Sequence, residues 1–528
     1  MMRDFEKPGR SEALGMNGMV STSNPQATLA GLDVLKAGGN AIDAAITAAA
    51  ILAVVEPTQT GIGGDCFVLL KKKGAKPIAL NGSGWSPAAA SLEFYQERGI
   101  TTLDSQSAHA VTIPGSLRAW ERLAEDHGTF EWKHLLQPAI HIAEHGYPVT
   151  ERLARDWALQ VNKMSKTSKS ASIFLPGGKA PVAGQVFQSL LLANALKSIA
   201  EQGAQVFYEG WIAEDIVSTL KREGGLHQLD DFAEYQPDYV TPISAQYRGY
   251  DLWECPPNGS GVVALAIATL LNQFDLARYQ SMSFERFHLH AEVARLAYAE
   301  RDLFLCDPTF NDIPIDYLLS AQRASKLASK IGFQHRLEDL TPMPIAEHRD
   351  TVFLSVVDRE GMVVSFINSI FDDFGSGIIA PASGILLHNR ANGFVLEAGH
   401  PNALGGRKRP MHTIIPAILT KGNDAVMSFG ATGVHFQPTG QLQILSNIID
   451  YGMSVQQAID YPRMFARGDN FELESTVPES IADALRAVGH KPIRTTHPLG
   501  SSQAIWIDTR GVLHGGADPR RDGIALGY

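Results

Sequence analysis

Asp350-Thr-Val-Phe-Leu-Ser-Val-Val-Asp-Arg-Glu-Gly-Met-Val-Val-Ser-Phe-Ile-Asn-Ser369 is the stretch on which the fold turns. Its two apolar, β-branched arms, residues 351–358 and 362–367, flank Arg359, Glu360 and Gly361, which is the chemistry of a β-hairpin. Upstream, apolar residues recur at helical spacing over residues 116–127, 132–145, 150–165 and 284–304. Downstream, short apolar runs at 378–379, 384–387, 417–419, 425–427, 504–507 and 512–514 predict strands, with one helix over 440–451. A helix-rich part therefore gives way to a strand-rich part near residue 350.

The N-terminal region predicts a helix pair laid on sheet. Ser23-Asn24-Pro25 supplies cap residues and a helix-starting proline for a helix over 27–36, and Asn40 caps a second one. That second helix is almost wholly alanine, isoleucine and valine, as a helix buried on most faces requires. Glu56-Pro57 ends it, and Gly61-Ile-Gly-Gly-Asp65 leads into an apolar strand, 66–70, with a hairpin neighbour at 77–80. Residues 163–179 are basic, rich in serine and glycine and interrupted by Pro176, which predicts a mobile surface loop. Residues 308–349 read as a polar connector.

The chain has 528 residues, 45% of them hydrophobic and 19% charged, which excludes a disordered or collagen-like protein. A formal charge of −11 argues against neutralising a phosphate backbone, so nucleic acid is not an expected partner. The cysteines, Cys66, Cys255 and Cys306, form no CxxC pair, so neither a disulfide framework nor a thiolate zinc site is expected. Residues 1–12 carry charges of both signs with no apolar core of a secretory signal. The apolar run 41–55 is short for a membrane span and contains Asp43, so no membrane association and a cytoplasmic location are expected. Asn258-Gly-Ser-Gly261 lacks both phosphate-loop patterns, and His288 and His290 point to different faces of one helix and cannot readily share a metal.

Ordered blocks along nearly the whole chain carry a resemblance. Ala37-Gly-Gly-Asn-Ala-Ile-Asp-Ala44, Gly61-Ile-Gly-Gly64, Asp350-Thr351, Phe374-Gly-Ser-Gly377, Ser383-Gly-Ile-Leu-Leu387, Lys408-Arg-Pro410 and the closing Gly516-Ala-Asp-Pro-Arg520 resemble the γ-glutamyltransferase family. The resemblance implies an α/β fold, a four-layer αββα sandwich of the N-terminal nucleophile hydrolase type, made as a precursor that cuts itself between Asp350 and Thr351. The products would be a helix-rich large subunit, 1–350, holding part of the sheet, and a strand-rich small subunit, 351–528, that begins with the nucleophile. They would stay folded together, with a homo-oligomer of the cut pair left open. No cofactor and no metal are implied.

The chemistry makes sense on its own terms. A threonine hydroxyl is a weak nucleophile, but a freed α-amine on the same residue, with a pKa of about 8, can take its proton. Before the cut that nitrogen is an amide and cannot. By resemblance, Ser369 is the second hydroxyl that orients the amine, and the backbone amides of Gly433 and Val434 form the oxyanion site.

Departures from the family narrow the substrate. Leu92, Phe371, Arg390 and Gly393 stand where the resemblance places an arginine, an asparagine, a glutamine and an aspartate, and His412 and Thr413 replace paired serines. Losing two charge-assisted contacts to a γ-glutamyl group costs about 3–6 kcal/mol. Arg390, His412, Thr413, Phe371 and Asp373 are then the substrate-binding candidates, with Arg390 and His412 facing a carboxylate. Structural alternatives are an ion pair of Arg390 with Asp372 or Asp373 and a satisfied core histidine at 412. The basic run Arg407-Lys-Arg409 is expected to add field toward an anion. The pattern 367–375 resembles the branch that includes an oxamate amidohydrolase of purine-nitrogen salvage, so the substrate expected first is oxamate, cleaved through a threonyl ester to oxalate and ammonia. A γ-glutamyl hydrolase or transferase, or an acylase, with an unfamiliar clamp is the alternative. An uncut, catalytically silent ligand-binding chain is the third reading.

Overall fold

The computed structural model describes residue 6, residues 9–338, residue 340 and residues 351–528. Asp350, half of the expected cleavage junction, lies outside the described residues.

Two seven-stranded sheets form the centre, and every pairing in them is antiparallel. In chain order the strands are β1 (Ala13–Gly15), β2 (Met19–Thr22), β3 (Asp65–Lys71), β4 (Ile78–Gly82), β5 (Asp238–Val240), β6 (Ile243–Tyr247) and β7 (Tyr250–Glu254). After residue 350 come β8 (Val352–Val357), β9 (Val363–Ser369), β10 (Ala417–Lys421), β11 (Asp424–Ala431), β12 (Ser502–Ile507), β13 (Leu513–Ala517) and β14 (Ile524–Gly527). One sheet runs β14-β2-β8-β9-β3-β4-β5 and the other β1-β13-β12-β11-β10-β7-β6. Each mixes strands from before and after residue 350.

Three apolar layers show how the sheets stack. Met19, Phe67, Leu69, Phe353, Val363 and Ile367 of the first sheet meet Ile418 and Ile505 of the second, together with Cys255 and Ile414. The outer face of the first sheet packs on helices α1 (Pro25–Lys36), α2 (Ala41–Val55), α3 (Ser116–His127) and α4 (Trp132–His145). The outer face of the second packs on α5 (Gly261–Leu271), α6 (Phe284–Phe304) and α7 (Gln437–Ile449). The result is the αββα sandwich.

Local chemistry explains the best-defined pieces. In α2 every residue is buried, and Asn40 with Asp43 closes a reciprocal capping box at its start. The β8–β9 hairpin has the expected register, Val352 opposite Asn368 and Val357 opposite Val363. Other segments depart from expectation. Residues 378–387 form no strands, only an isolated bridge between Ile379 and Leu386, because the chain turns back at Gly384 (φ +71°). The helix expected over 150–165 breaks at Gln160. Residues 163–179 hold the helix Ser168–Phe174 instead of a loop, since Met164, Phe174 and Leu175 are buried and Ser170 Oγ bonds the carbonyl of Gly377 (2.8 Å). The connector also holds short helices, Ile315–Leu318 and Ala321–Ala328. Among the described residues no helix is long and apolar enough to cross a membrane.

Candidate active site

Thr351 precedes β8 and is buried at 2% exposure, so its position is fixed by the strand rather than by solvent. The antiparallel register carries it opposite Ser369, the last residue of β9. Thr351 Oγ1 donates to Ser369 Oγ at 3.1 Å, and the same oxygen accepts from Phe371 N (2.9 Å) and from an Arg390 Nη (3.2 Å). A hydroxyl–hydroxyl pair at the start of a central strand therefore sits against a guanidinium.

Across the next strand Ser369 pairs with Asp65, the first residue of β3. Asp65 is fully buried, and one carboxylate oxygen accepts the amides of Gly84 (3.0 Å) and Gly115 (3.3 Å). The other faces His412 Nε2 at 3.2 Å, His388 Nδ1 at 3.3 Å and Arg390 Nε at 3.7 Å. Burial opposes this charge, but His388 and His412 hold the carboxyl well below the usual carboxylate range. Burial beside Arg390 pushes His412 down to about 3, so it is neutral at pH 7. Burial lowers Arg390 to about 10, still charged at neutral pH, and makes it the counter-ion of Asp65.

Arg390 is enclosed completely. Its other Nη donates to Thr413 Oγ1 at 3.1 Å, and its guanidinium lies 4.3 Å from the centre of the Phe371 ring. The structure thus gives Arg390 its close ion-pair contact with Asp65 rather than with Asp372 or Asp373. His412 is turned away from both cavities that adjoin this cluster: Nε2 faces Asp65, Nδ1 accepts from Ile414 N (3.4 Å), and its ring lies tilted against Phe67 with centroids 4.8 Å apart. It is placed there by the Asn258–Ser260 loop, where its amide reaches the carbonyl of Asn258 and its carbonyl accepts from Ser260. Asn258-Gly-Ser-Gly261 is thereby part of the scaffold. In the basic run Arg407-Lys-Arg409, Arg407 pairs with Glu234, Arg409 pairs with Asp238, and Lys408 Nζ donates to the carbonyl of Pro401.

Two cavities adjoin this cluster, one through Phe371 and Thr413 and the other through Asp372 and Gly433, and Thr351 itself lines neither. One, about 530 Å³, is lined by Phe371, Gly393, Phe394, Met411, Thr413 and His435, with Arg301 and Asp302 in its wall. Leu92 lies beside it, packed with Phe394 and Leu404 where the family would place an arginine. The second, about 400 Å³, is lined by Arg155, Lys163, Asp372, Asp373, His497 and Gly433, among others. Asp373 accepts from Gln160 Nε2 (3.1 Å), and its carbonyl accepts from Lys163 Nζ (2.6 Å). Asp372 and Asp373 face one cavity and Phe371 the other, so this segment forms the partition.

The turn 430–434 closes the site from the second sheet. Ser355 Oγ bonds the carbonyl of Ser428, and a Cβ on Gly430 would strike the Phe353 ring, so β11 runs across β8 and leads to the turn near Thr351. Gly433 has φ +103° and Val434 φ +51°. A β-branched residue in the left-handed region is strained by about 1–3 kcal/mol. Neither amide meets a backbone acceptor among the described residues.

With this geometry in place, the comparisons are decisive. The gamma-glutamyltranspeptidase family model matches residues 27–528. The chain belongs to this family. The glutathione hydrolase-like YwrD proenzyme of Bacillus subtilis is 36% identical over 524 residues, covering 97% of this chain and 99% of the relative. An oxamate amidohydrolase proenzyme of Klebsiella pneumoniae is 31% identical over 536 residues, covering 98% of this chain and all of the relative. The crystal structure of a cephalosporin acylase from Bacillus halodurans superposes with a TM-score of 0.93 at 39% identity, covering 100% and 99% of the two chains. The fold is therefore that of the N-terminal nucleophile hydrolases of the γ-glutamyltranspeptidase family, whose members include hydrolases made as proenzymes.

Thr351, Ser369, Arg390, Thr413 and Phe371 are brought together. Gly433 and Val434 stand at the turn, Asp373 lies on the far side of the partition, and His412 sits one layer behind. Asp65, His388 and Tyr298 carry no functional reading in the sequence, whereas Arg301 and Asp302 read from it as part of an ion-pair network and do pair at 2.6 Å. Of the first three only Asp65 had a signal, an acid directly after Gly63-Gly64 and opening an apolar strand.

Proposed function

We propose that this protein is a self-processing N-terminal threonine hydrolase of linear amides, with residues 1–350 and 351–528 as its subunits. A cut before Thr351 frees the α-amine, which takes the proton of Thr351 Oγ1 as the oxygen attacks the amide carbon. The amides of Gly433 and Val434 receive the oxyanion, the α-ammonium of Thr351 passes that proton to the departing substrate nitrogen as the C–N bond breaks, and water, deprotonated by the same α-amine, hydrolyses the threonyl ester. The observation that carries the reading is the buried Thr351–Ser369 hydroxyl pair at 3.1 Å, backed by Arg390.

Two features favour an acyl group larger than oxalyl and without an α-ammonium. Oxamate, with its amide nitrogen included, has about six heavy atoms; at no more than the roughly 30 Å³ of a liquid water each, it fills under about 200 Å³. The cavity beside Phe371 and Thr413 is about 530 Å³. Its arginine, Arg301, is balanced by Asp302 at 2.6 Å, and Arg390 is balanced by Asp65, so no surplus cation stands ready for a strong anion clamp. These features reverse the order suggested by sequence and put an acylase-type amidohydrolase first. A γ-glutamyl donor stays disfavoured, since Leu92, Phe371 and Gly393 offer its amino-acid end no charged partner. Oxamate remains the second reading on one observation: a carboxylate bonded directly to the scissile carbonyl would fall beside Ser369, within reach of the Arg390 fork.

The test is a donor panel with self-cleaved protein: hexanoyl, glutaryl and γ-glutamyl p-nitroanilides beside oxamate, with Thr351→Ala as control. Expected is turnover of the hexanoyl or glutaryl anilide well above the γ-glutamyl one, abolished in the control. A higher kcat/KM for oxamate would put the second reading first. No Thr351-dependent release from any donor would point to the silent binder.

A further inference from the structure

Tyr298 and Arg301 lie three residues apart on one face of α6, outside the reacting groups, and both grip the residue that follows the strained pair Gly433–Val434. The Tyr298 hydroxyl donates to the carbonyl of His435, and an Arg301 Nη donates to His435 Nδ1 at 2.7 Å. A guanidinium has no acceptor, so Nδ1 must be the acceptor and the proton of the neutral ring sits on Nε2. Arg301 is itself fixed by Asp302, through Nε at 2.8 Å and an Nη at 2.6 Å. Tyr298 is buried, which pushes its hydroxyl up to about 12 and keeps it a donor. On the other side of the turn Thr432 N bonds the carbonyl of Ser501 (2.7 Å), and Gly433 packs against Gly500. The strained pair is thus pinned at both ends, by Ser501 before it and by α6 after it.

We infer that Tyr298 and Arg301 are positioning residues that hold Val434 in its positive-φ conformation, so that the Gly433 and Val434 amides face the oxyanion. The inference rests on the proposed role of that turn. A valine there relaxes to negative φ unless it is held, and a relaxed Val434 carries its amide away from the reacting oxygen. Arg301 and His435 also line the larger cavity, so the acyl group touches the same side chains that set the turn.

The experiment measures kcat and KM for Tyr298→Phe, Arg301→Lys and Arg301→Ala, each alone and combined with Val434→Gly, on whichever anilide wild type hydrolyses, with chain cleavage followed by mass. Expected are kcat losses of about tenfold for Tyr298→Phe and about a hundredfold for Arg301→Ala, with Arg301→Lys between them and KM little changed in Tyr298→Phe, whose side chain does not line the cavity. In the Val434→Gly background the losses shrink at least threefold, because glycine takes positive φ without strain. Unchanged kcat in Tyr298→Phe and Arg301→Ala, or equal losses with valine and with glycine at 434, overturns the inference. If Arg301→Ala fails to fold or cut, Tyr298→Phe, which removes one oxygen, decides alone. Absence of Thr351-dependent turnover in wild type refutes the underlying reading instead.

Discussion

Asp65 fixes the charge of the site, and a single substitution tests that. Its carboxylate is the buried counter-ion of Arg390, with His412 neutral beside it. Asp65→Asn strands a guanidinium inside the protein and is expected to cost about 3–5 kcal/mol in urea unfolding, most of it recovered in the double variant with Arg390→Met. On the proposed function, Thr351→Ala is expected to remain one chain of 57.2 kDa, while Thr351→Ser keeps a hydroxyl and still cuts. Denaturing mass analysis reads both. Thr351 and Ser369, which the structure brings together, stand out in the sequence because they lie in short ordered blocks. Asp65 left only the faint mark of an acid after Gly63-Gly64, and His388 and Tyr298 left none, because each gains its meaning from partners brought by distant strands and helices.

The elements show the same divide between local and long-range causes. α2 and the β8–β9 hairpin follow from composition, caps and turn residues, and α6 falls at residues 284–304 as its periodicity predicts. Residues 378–387 and 163–179 were misread because contacts outside the segment decide them. Lys163 Nζ bonds the carbonyls of Asp373 (2.6 Å) and Gly375 (3.1 Å), tying the helical segment onto the partition between the cavities. Lys163→Met, which keeps most of the side chain's bulk, is expected to lower stability by about 1–3 kcal/mol. It should also raise KM more than it lowers kcat, as steady-state kinetics would show.

At the scale of the molecule, both sheets mix strands from before and after residue 350, β8 and β9 lying between β2 and β3 in one and β10 to β13 between β1 and β7 in the other. A cut before Thr351 therefore leaves two chains that co-elute until the whole sandwich unfolds. Buried histidines set the acid limit: burial pushes His227, His412 and His490 down to about 3. Below about pH 6.5 the unfolded chain takes up protons that the folded chain refuses, so stability falls as the pH drops toward 3. Glu56 runs the other way. Burial pushes its carboxyl up to about 7, so its contribution falls as pH rises from 4.5 to about 7. The deeply depressed histidines, which include buried His290, outnumber the strongly raised carboxyls Glu56 and Glu254, and urea midpoints should fall from pH 6.5 to pH 5, more steeply in Glu56→Gln. The central claim, a threonyl ester on a self-cut chain, is tested most directly by denaturing mass analysis of protein quenched during turnover of an acyl anilide. The account predicts two chains, the smaller beginning at Thr351 and carrying the mass of the acyl group. An uncut chain of 57.2 kDa, or a smaller chain that stays unmodified throughout rapid turnover, would contradict it.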